Sequence, residues 1–169
     1  MSAVVDGIIP VGGQIPAFTL QRHGGGEQTI PDGGARGLTL AIFYKNTCPT
    51  CRLTMPFVQR LHEQVAPAGG LVVAISQDGA DGAAAFADEL GLTLPILVDQ
   101  TGYPVSNLYE LVSVPTIYLV TSSGKVARSA AGFNKTGLAA MAADLAASVG
   151  APAPALYRDG ETIPEFKPG

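Results

Sequence analysis

Two cysteines lie close together in the stretch FYKNTCPTCRLTMPF, which covers residues 43–57. They are Cys48 and Cys51, and the chain contains 2 cysteines in all. A cysteine reacts as its thiolate, so a pair at this spacing can form and break a disulfide, hold half of a zinc site or reduce a peroxide. It can also be two buried thiols without chemistry, and the surrounding residues distinguish these interpretations.

A zinc site lacks ligands in this sequence. A structural zinc ion takes four ligands, and beyond the two cysteines the chain offers His23 and His62. These histidines lie 25 residues before Cys48 and 11 residues after Cys51, at no familiar metal-binding spacing. We therefore predict no metal site.

The elements around the cysteines place them at a strand-to-helix junction. LTLAIFYK (residues 38–45) is a near-continuous apolar run of strand length, typical of a central strand covered on both faces. After the cysteines, apolar residues recur at helical spacing from Leu53 to Val65. A second apolar run, LVVAIS (residues 71–76), completes a strand–helix–strand unit. A C-x-x-C pair at such a junction favours a redox couple.

The start of this helix distinguishes the two thiols. Cys48 would lie at the helix N-terminus, where unpaired N–H groups and the helix dipole favour a thiolate. Pro49 suits the first helical position, because no backbone N–H is needed there. Cys51, one turn later, can direct its N–H and S–H towards the Cys48 sulfur. We predict that Cys48 attacks a substrate disulfide and that Cys51 then closes the Cys48–Cys51 disulfide.

The rest of the chain follows the pattern of a mostly parallel α/β domain with an antiparallel hairpin near its end. Residues 1–16 are predicted to form an extended arm, and residues 23–37 a loop with a small hairpin arm. Further strands are predicted at residues 17–21, 94–99, 115–120 and within 125–132, and further helices at residues 81–91, 103–111 and 136–150, the last capped by Thr136.

Length and composition fit one globular domain, residues 1–150, followed by a Pro-rich C-terminal tail, residues 151–169, that crosses the surface in extended form or is mobile. The net charge is −4 and no Lys/Arg block is present, so we predict no nucleic-acid partner.

No apolar run approaches the ~18–20 residues of a membrane span, and the first residues lack the pattern of a secretory signal. As given, the sequence predicts a cytoplasmic protein, or a periplasmic one if a leader has been removed.

Several stretches resemble the thioredoxin superfamily, and most of all its TlpA-like thiol-disulfide oxidoreductases, which are close to the AhpC/TSA peroxiredoxin-like group. The matching stretches are FYKNTCPTCRLTMPFVQRL at the cysteines, VSVPTIYLV some sixty residues later and VGGQIPAFTL near the start, together with Pro56 and a helix–strand insert at residues 81–99. The resemblance covers roughly residues 10–150. It implies a thioredoxin-like three-layer α/β sandwich: a central mixed sheet with helices on both faces, an N-terminal β extension and a mid-chain αβ insert.

The resemblance also implies which residues bind a substrate. In the family, the proline of the V-P-T element is cis and lies beside the cysteine pair. Here it is Pro115, and Val114 would lend backbone groups to an extended substrate strand. Thr116 in the same element, and Pro49 and Thr50 between the cysteines, complete the predicted substrate-binding set.

The groups that would handle protons depart from the family pattern. Thr47 stands before the first cysteine, where relatives usually have Trp, and the chain has no Trp. Ile42 stands where thioredoxin has a buried carboxylate, and Thr54 where TlpA-like proteins often have Glu. Lys45 or Tyr44, or a water molecule, could substitute for these carboxylates.

The predicted function is thiol–disulfide exchange between the Cys48–Cys51 pair and a disulfide-containing protein or small molecule. The electron donor would be an unidentified thiol, and no cofactor is expected besides the redox-active disulfide. With no carboxylate to take its proton, Cys51 should release the product slowly and in a pH-sensitive way, after fast attack by Cys48. The sequence TCPTC also resembles the TCPYC of glutaredoxins, which suggests a less reducing couple than that of thioredoxin.

Two other functions stay open on the sequence. A peroxiredoxin has the motif P-x-x-x-T-x-x-C, but counting back from Cys48 these positions hold Lys45 and Ala41, and from Cys51 they hold Cys48 and Tyr44. Neither register fits the motif. A non-catalytic module with the same fold could use the pair to sense oxidation or to hold a partner. Reduction of insulin disulfides, consumption of peroxide, or neither would separate the three functions.

Overall fold

The computed structural model describes residues 4–169, so the first part of the predicted arm, residues 1–3, lies outside the described residues. The elements are β1 (Phe18–Gln21), β2 (Glu27–Ile30), β3 (Thr39–Tyr44), α1 (Pro49–Val65), a 3₁₀ turn (Ala66–Ala68), β4 (Leu71–Ser76), α2 (Ala80–Leu90), β5 (Ile96–Val98), α3 (Pro104–Leu108), β6 (Thr116–Val120), β7 (Val126–Ala131), β8 (Phe133–Asn134), α4 (Lys135–Val149) and β9 (Phe166–Lys167). Between residues 4 and 169, no helix is both long and apolar enough to cross a membrane.

A five-stranded mixed sheet in the order β5-β4-β3-β6-β7 forms the middle layer. All six residues of β3 are buried, as expected for the strand at its centre. β3 pairs in parallel with β4 and antiparallel with β6. The N-terminal β extension is a separate hairpin, in which β1 pairs antiparallel with β2.

The side chains of β3 alternate between two apolar clusters, because successive residues of a strand point to opposite faces. Leu40, Ile42 and Tyr44 face the cluster covered by α1, α2 and α4. Ala41 and Phe43 face the cluster covered by α3 and by apolar residues of the N-terminal arm. Helices therefore cover both faces of the sheet, and the predicted three-layer α/β sandwich is confirmed.

The predicted N-cap of α4 is wrong. The cap is Asn134, whose side-chain oxygen accepts a hydrogen bond from the backbone N–H of Gly137 at 2.7 Å, and not Thr136. Asn and Thr both cap helices well, so residue type alone does not choose between two candidates two positions apart.

Residues 151–169 follow an extended path over the surface of the domain. This is one of the two alternatives predicted for them, the other being a mobile tail. Leu156 is 3% exposed and belongs to the cluster beneath α1. The side chain of Glu161 forms an ion pair with Arg60 of α1 at 2.6 Å. Further on, β9 pairs antiparallel with β8. This segment therefore contributes Leu156 to the core, and its β9 forms a separate two-stranded sheet with β8.

Candidate active site

Cys48 is the N-cap residue of α1. Its backbone is extended (φ −83°, ψ 114°), and its sulfur accepts a hydrogen bond from the backbone N–H of Cys51 at 3.1 Å. The N–H of Cys48 donates to the Lys45 carbonyl at 3.2 Å, which closes the turn between β3 and α1. Pro49 occupies the first turn of the helix, as predicted. The sulfur therefore fills the place usually taken by a Ser, Thr, Asp or Asn oxygen.

The two thiols have different surroundings. Both are free, but Cys48 is half-buried whereas Cys51 is 0% exposed and belongs to the core beneath α1. Burial, and next the contact with the Cys48 thiol, raises the pKa of Cys51 far above that of an ordinary cysteine. Cys48 is thus the accessible sulfur of the pair, and Cys51 is held neutral behind it.

The start of β6 is the third part of the site. Because β6 pairs antiparallel with β3, with Thr116 opposite Phe43, the loop before β6 meets the end of β3. The Val114 carbonyl there accepts a hydrogen bond from Cys48 Sγ at 3.4 Å. The Val114–Pro115 peptide bond is cis, which confirms the sequence prediction.

The other predicted substrate-binding residues differ in how exposed they are. Pro49 is exposed at the start of α1. Thr50 is 3% exposed, and its hydroxyl donates to the Pro168 carbonyl at 2.7 Å. Thr116 is 1% exposed, and its hydroxyl donates to the Ser113 carbonyl at 2.9 Å, which ties together the loop that carries Val114.

The two predicted proton-handling residues also differ. Tyr44 is buried with its ring stacked on Phe86 at 5.2 Å, and burial raises the pKa of Tyr44 to about 12 even though Ser76 acts to lower it. The Tyr44 hydroxyl makes no hydrogen bond of ordinary geometry within residues 4–169. Lys45 is exposed and lies beside Val114 at a cleft of about 290 Å³. Of the two, Lys45 is in contact with solvent.

Asp78 is an acidic residue near the pair that the sequence analysis missed. β3 and β4 are parallel with Tyr44 opposite Ser76, so the residues after both strands lie at one edge of the sheet. Asp78 accepts the backbone N–H of Asn46 at 2.8 Å, which supports the turn before α1. Its charge is a smaller contribution to the raised pKa of Cys51. An acidic residue directly after a buried strand can indicate a group near the active site, but only once the neighbouring strand in the sheet is known.

The sheet order, together with a C-x-x-C pair at the first turn of α1, defines a thioredoxin-like protein. Residues 11–129 match the AhpC/TSA family, and the chain belongs to this family. It is 31% identical over 122 residues to the thioredoxin-like protein YneN of Bacillus subtilis, which covers 70% of this chain and 69% of that protein. It is 29% identical over 119 residues to the thiol-disulfide oxidoreductase ResA of Geobacillus thermodenitrificans, covering 70% and 67%.

Solved structures agree on the fold. A thiol:disulfide interchange protein from a Bacteroides species has a TM-score of 0.63 and 22% identity, over 71% of this chain and 80% of that one. This likeness shows the fold, and the sequence relatives support an oxidoreductase that acts on thiols and disulfides.

Proposed function

We propose that the Cys48–Cys51 pair carries the thiol–disulfide oxidoreductase activity, with Cys48 as the nucleophile and Cys51 as the resolving cysteine. The observation that carries this assignment is the hydrogen bond from the Cys51 N–H to the Cys48 sulfur at the start of α1. It places an N–H donor and the positive end of the helix where negative charge develops during exchange. The unequal exposure of the two sulfurs supports the same order of attack.

The exchange takes two steps. The Cys48 thiolate attacks one sulfur of a substrate disulfide, so that a Cys48–substrate S–S bond forms, the substrate S–S bond breaks, and the departing thiolate takes a proton from water. Cys51 then loses its proton and attacks the Cys48 sulfur, which closes the Cys48–Cys51 disulfide and releases the second thiol. Two electrons pass to the substrate, and an external thiol restores the dithiol by the reverse steps.

Proton removal from Cys51 is the slower step of this scheme. Burial holds the pKa of Cys51 well above neutral, so only a small fraction is thiolate at pH 7. Solvent at the mouth of the site is the proposed proton acceptor, because Tyr44 is enclosed in the core and the exposed Lys45 side chain offers hydrogen-bond donors and no acceptor.

The proposed substrates are disulfides of proteins or of small molecules, and the proposed electron donor is a thiol. We place the reaction in the reducing direction and in the cytoplasm, where thiols are kept reduced. Alkylation of free thiols in intact cells that produce the protein, followed by mass spectrometry of the Cys48–Cys51 peptide, tests this. A pair found mostly as the disulfide would reverse the proposed direction.

Single serine variants test the roles of the cysteines. Cys51→Ser is expected to accumulate a mixed disulfide through Cys48 when it meets insulin or 5,5′-dithiobis(2-nitrobenzoate), whereas Cys48→Ser is expected to form none. Mass spectrometry of the intact protein measures both. Equal trapping by the two variants would contradict the assignment, and faster consumption of peroxide than of disulfides by the unmodified protein would favour a peroxidase.

A further inference from the structure

Residues 165–169, which we call the strap, lie beside the candidate active site. Within the strap, β9 pairs antiparallel with β8, and Lys167 is opposite Phe133. At its start, the Glu165 carbonyl accepts the backbone N–H of Lys135 at 3.0 Å. The strap is therefore an extended chain held on a short strand next to the site.

The strap touches two residues of the predicted substrate-binding set. The Thr50 hydroxyl, between the two cysteines, donates to the Pro168 carbonyl at 2.7 Å. Gly169 lies against Val114, since a Cβ added to Gly169 would come within 2.3 Å of the Val114 carbonyl oxygen. That oxygen is also the one that accepts a hydrogen bond from Cys48.

Gly132 allows the strap to come this close. Its φ is +76°, and a Cβ there would lie 2.7 Å from the Lys167 carbonyl oxygen and 3.2 Å from the Gly169 nitrogen. Its N–H donates to the Pro115 carbonyl at 2.8 Å, which fixes it beside the loop before β6. Gly132, Val114 and Thr50 thus all lie against residues 167–169 of the strap.

The strap is held less firmly than the segment that leads to it. Leu156 is buried in the core, and two hydrogen bonds of 2.8 and 2.6 Å join Arg60 to Glu161. In contrast, β9 has two residues, and Phe166 is 57% exposed. Displacement of the strap would therefore leave the contacts of Leu156 and Glu161 intact.

We propose that the strap occupies the position of an extended polypeptide substrate and thereby sets the substrate class of Cys48. The proposal rests on the proposed function of the cysteine pair. Recognition of a polypeptide by strand addition uses the backbone of an extended chain laid along an open edge, and the strap already supplies such a chain at β8 and on Val114. Protein disulfides react only in the fraction of molecules whose strap is displaced, so their apparent affinity is reduced by that fraction.

Small disulfides have a separate approach to the Val114 loop, whose carbonyl contacts Cys48. The cleft of about 290 Å³ is lined by Lys45, Gln77, Leu111, Val112, Ser113 and Val114, and no strap residue borders it. Its volume is near the lower end for small-molecule sites, about 300 Å³. Leucine and valine side chains with one lysine suit a small disulfide that carries an acidic group.

The substitution Gly169→Ala tests the proposal without changing a residue of the cysteine pair or its loops. The added Cβ cannot fit against the Val114 carbonyl, so the strap should leave the site. We expect kcat/KM for insulin reduction to rise at least fivefold, while kcat/KM for 5,5′-dithiobis(2-nitrobenzoate) changes less than twofold. Gly33→Ala is the matched control, because Gly33 faces open space with an ordinary φ. An unchanged ratio of the two substrates in Gly169→Ala would overturn the proposal.

A second measurement keeps the strap sequence intact. In Cys51→Ser, the Cys48 thiolate is reacted either with the mixed disulfide of an extended cysteine-containing peptide and 2-nitro-5-thiobenzoate or with 5,5′-dithiobis(2-nitrobenzoate), so that 2-nitro-5-thiobenzoate leaves in both cases and Cys48 carries the peptide or the small group. Hydrogen exchange of the Lys135 amide measures whether the strap is docked, because this N–H donates a hydrogen bond to the Glu165 carbonyl. Hydrogen exchange of this amide should speed up at least tenfold in the peptide adduct and stay unchanged in the small adduct. Equal protection in both adducts would overturn the proposal.

The two ideas fail in different ways. If Cys51→Ser forms no adduct with either disulfide, the proposed function of the cysteine pair is wrong. If adducts form, but neither the substrate ratio nor the exchange of Lys135 responds as expected, the exchange chemistry stands and the role of the strap is wrong.

Discussion

The two flanks of Cys48 are unlike. On one flank, Thr50, Gly132 and the strap fill the space beside the Val114 carbonyl. On the other, an open cleft leads from Lys45 to the same carbonyl-bearing loop. The sulfur and its N–H donor are common to both flanks, so the difference lies in what can reach the sulfur. On the proposed function, the start of α1 supplies the reactivity, and the surroundings of Val114 select the substrate.

The largest expected effect concerns the stability of the flank that the strap covers. Leu156→Ala should lower the free energy of unfolding by about 2–5 kcal/mol, because it removes a side chain from the core beneath α1. Phe166→Ala, in the strap, should change it by no more than about 0.5 kcal/mol, because that ring is largely exposed. Urea unfolding measures both. Equal effects would show that residues 151–161 are held no more firmly than the strap.

Release of the substrate by Cys51, which is common to both flanks, should depend strongly on pH. Because the pKa of Cys51 is raised well above that of an ordinary thiol, its thiolate fraction rises about tenfold per pH unit through the neutral range. The rate of mixed-disulfide decay should therefore rise about tenfold per unit from pH 6 to pH 9, as followed by stopped-flow. A plateau near pH 7 would show that a neighbouring group already removes the proton.

A smaller effect is expected on the open flank. Lys45→Gln should lower kcat/KM for the dianionic 5,5′-dithiobis(2-nitrobenzoate) about three- to tenfold at low salt, and leave neutral hydroxyethyl disulfide unaffected. The control is Lys125→Gln, since Lys125 is also exposed but lies outside the cleft. Equal losses for the charged and the neutral disulfide would mean that Lys45 acts in the chemistry rather than in attraction.

The smallest effect concerns Asp78. Asp78→Asn keeps an acceptor for the Asn46 N–H but removes a negative charge that helps to raise the pKa of Cys51. Decay of the mixed disulfide at pH 7 should therefore speed up by about two- to threefold, with the pH–rate profile displaced to lower pH. A slower decay would instead identify Asp78 as the base that takes the Cys51 proton.

The strand and helix that carry the cysteines could be predicted from local pattern. The run LVVAIS corresponds to β4 at Leu71–Ser76, and the strand before Cys48 followed by Pro49 predicts the start of α1. Such signals depend on neighbours within a few residues. The N-cap of α4 was missed for the same reason, because Asn134 and Thr136 are both good caps and the deciding contact is a matter of geometry.

Contacts between distant residues divide into two kinds. The approach of Val114 to Cys48, 66 residues apart, was expected because the V-P-T element resembles that of a known family. The contact of Thr50 with Pro168 spans 118 residues and has no such motif. The sequence of a Pro-rich segment does not show whether the segment is docked on the domain or mobile. Asp78 could be placed near Cys51 only after the order of the strands was known.

The ion pair between Arg60 and Glu161 fixes how far the strap must reach. Thr50 and Arg60 are ten residues apart on α1, about 15 Å along its axis. The seven residues from Glu161 to Pro168 could extend to about 24 Å, so the connection has length to spare. On the proposal that the strap occupies the substrate position, it is a tethered ligand, and its effective concentration at the site falls as the tether lengthens. Insertions or deletions at residues 162–164 would shift the balance between protein and small-molecule substrates without altering any residue that touches sulfur.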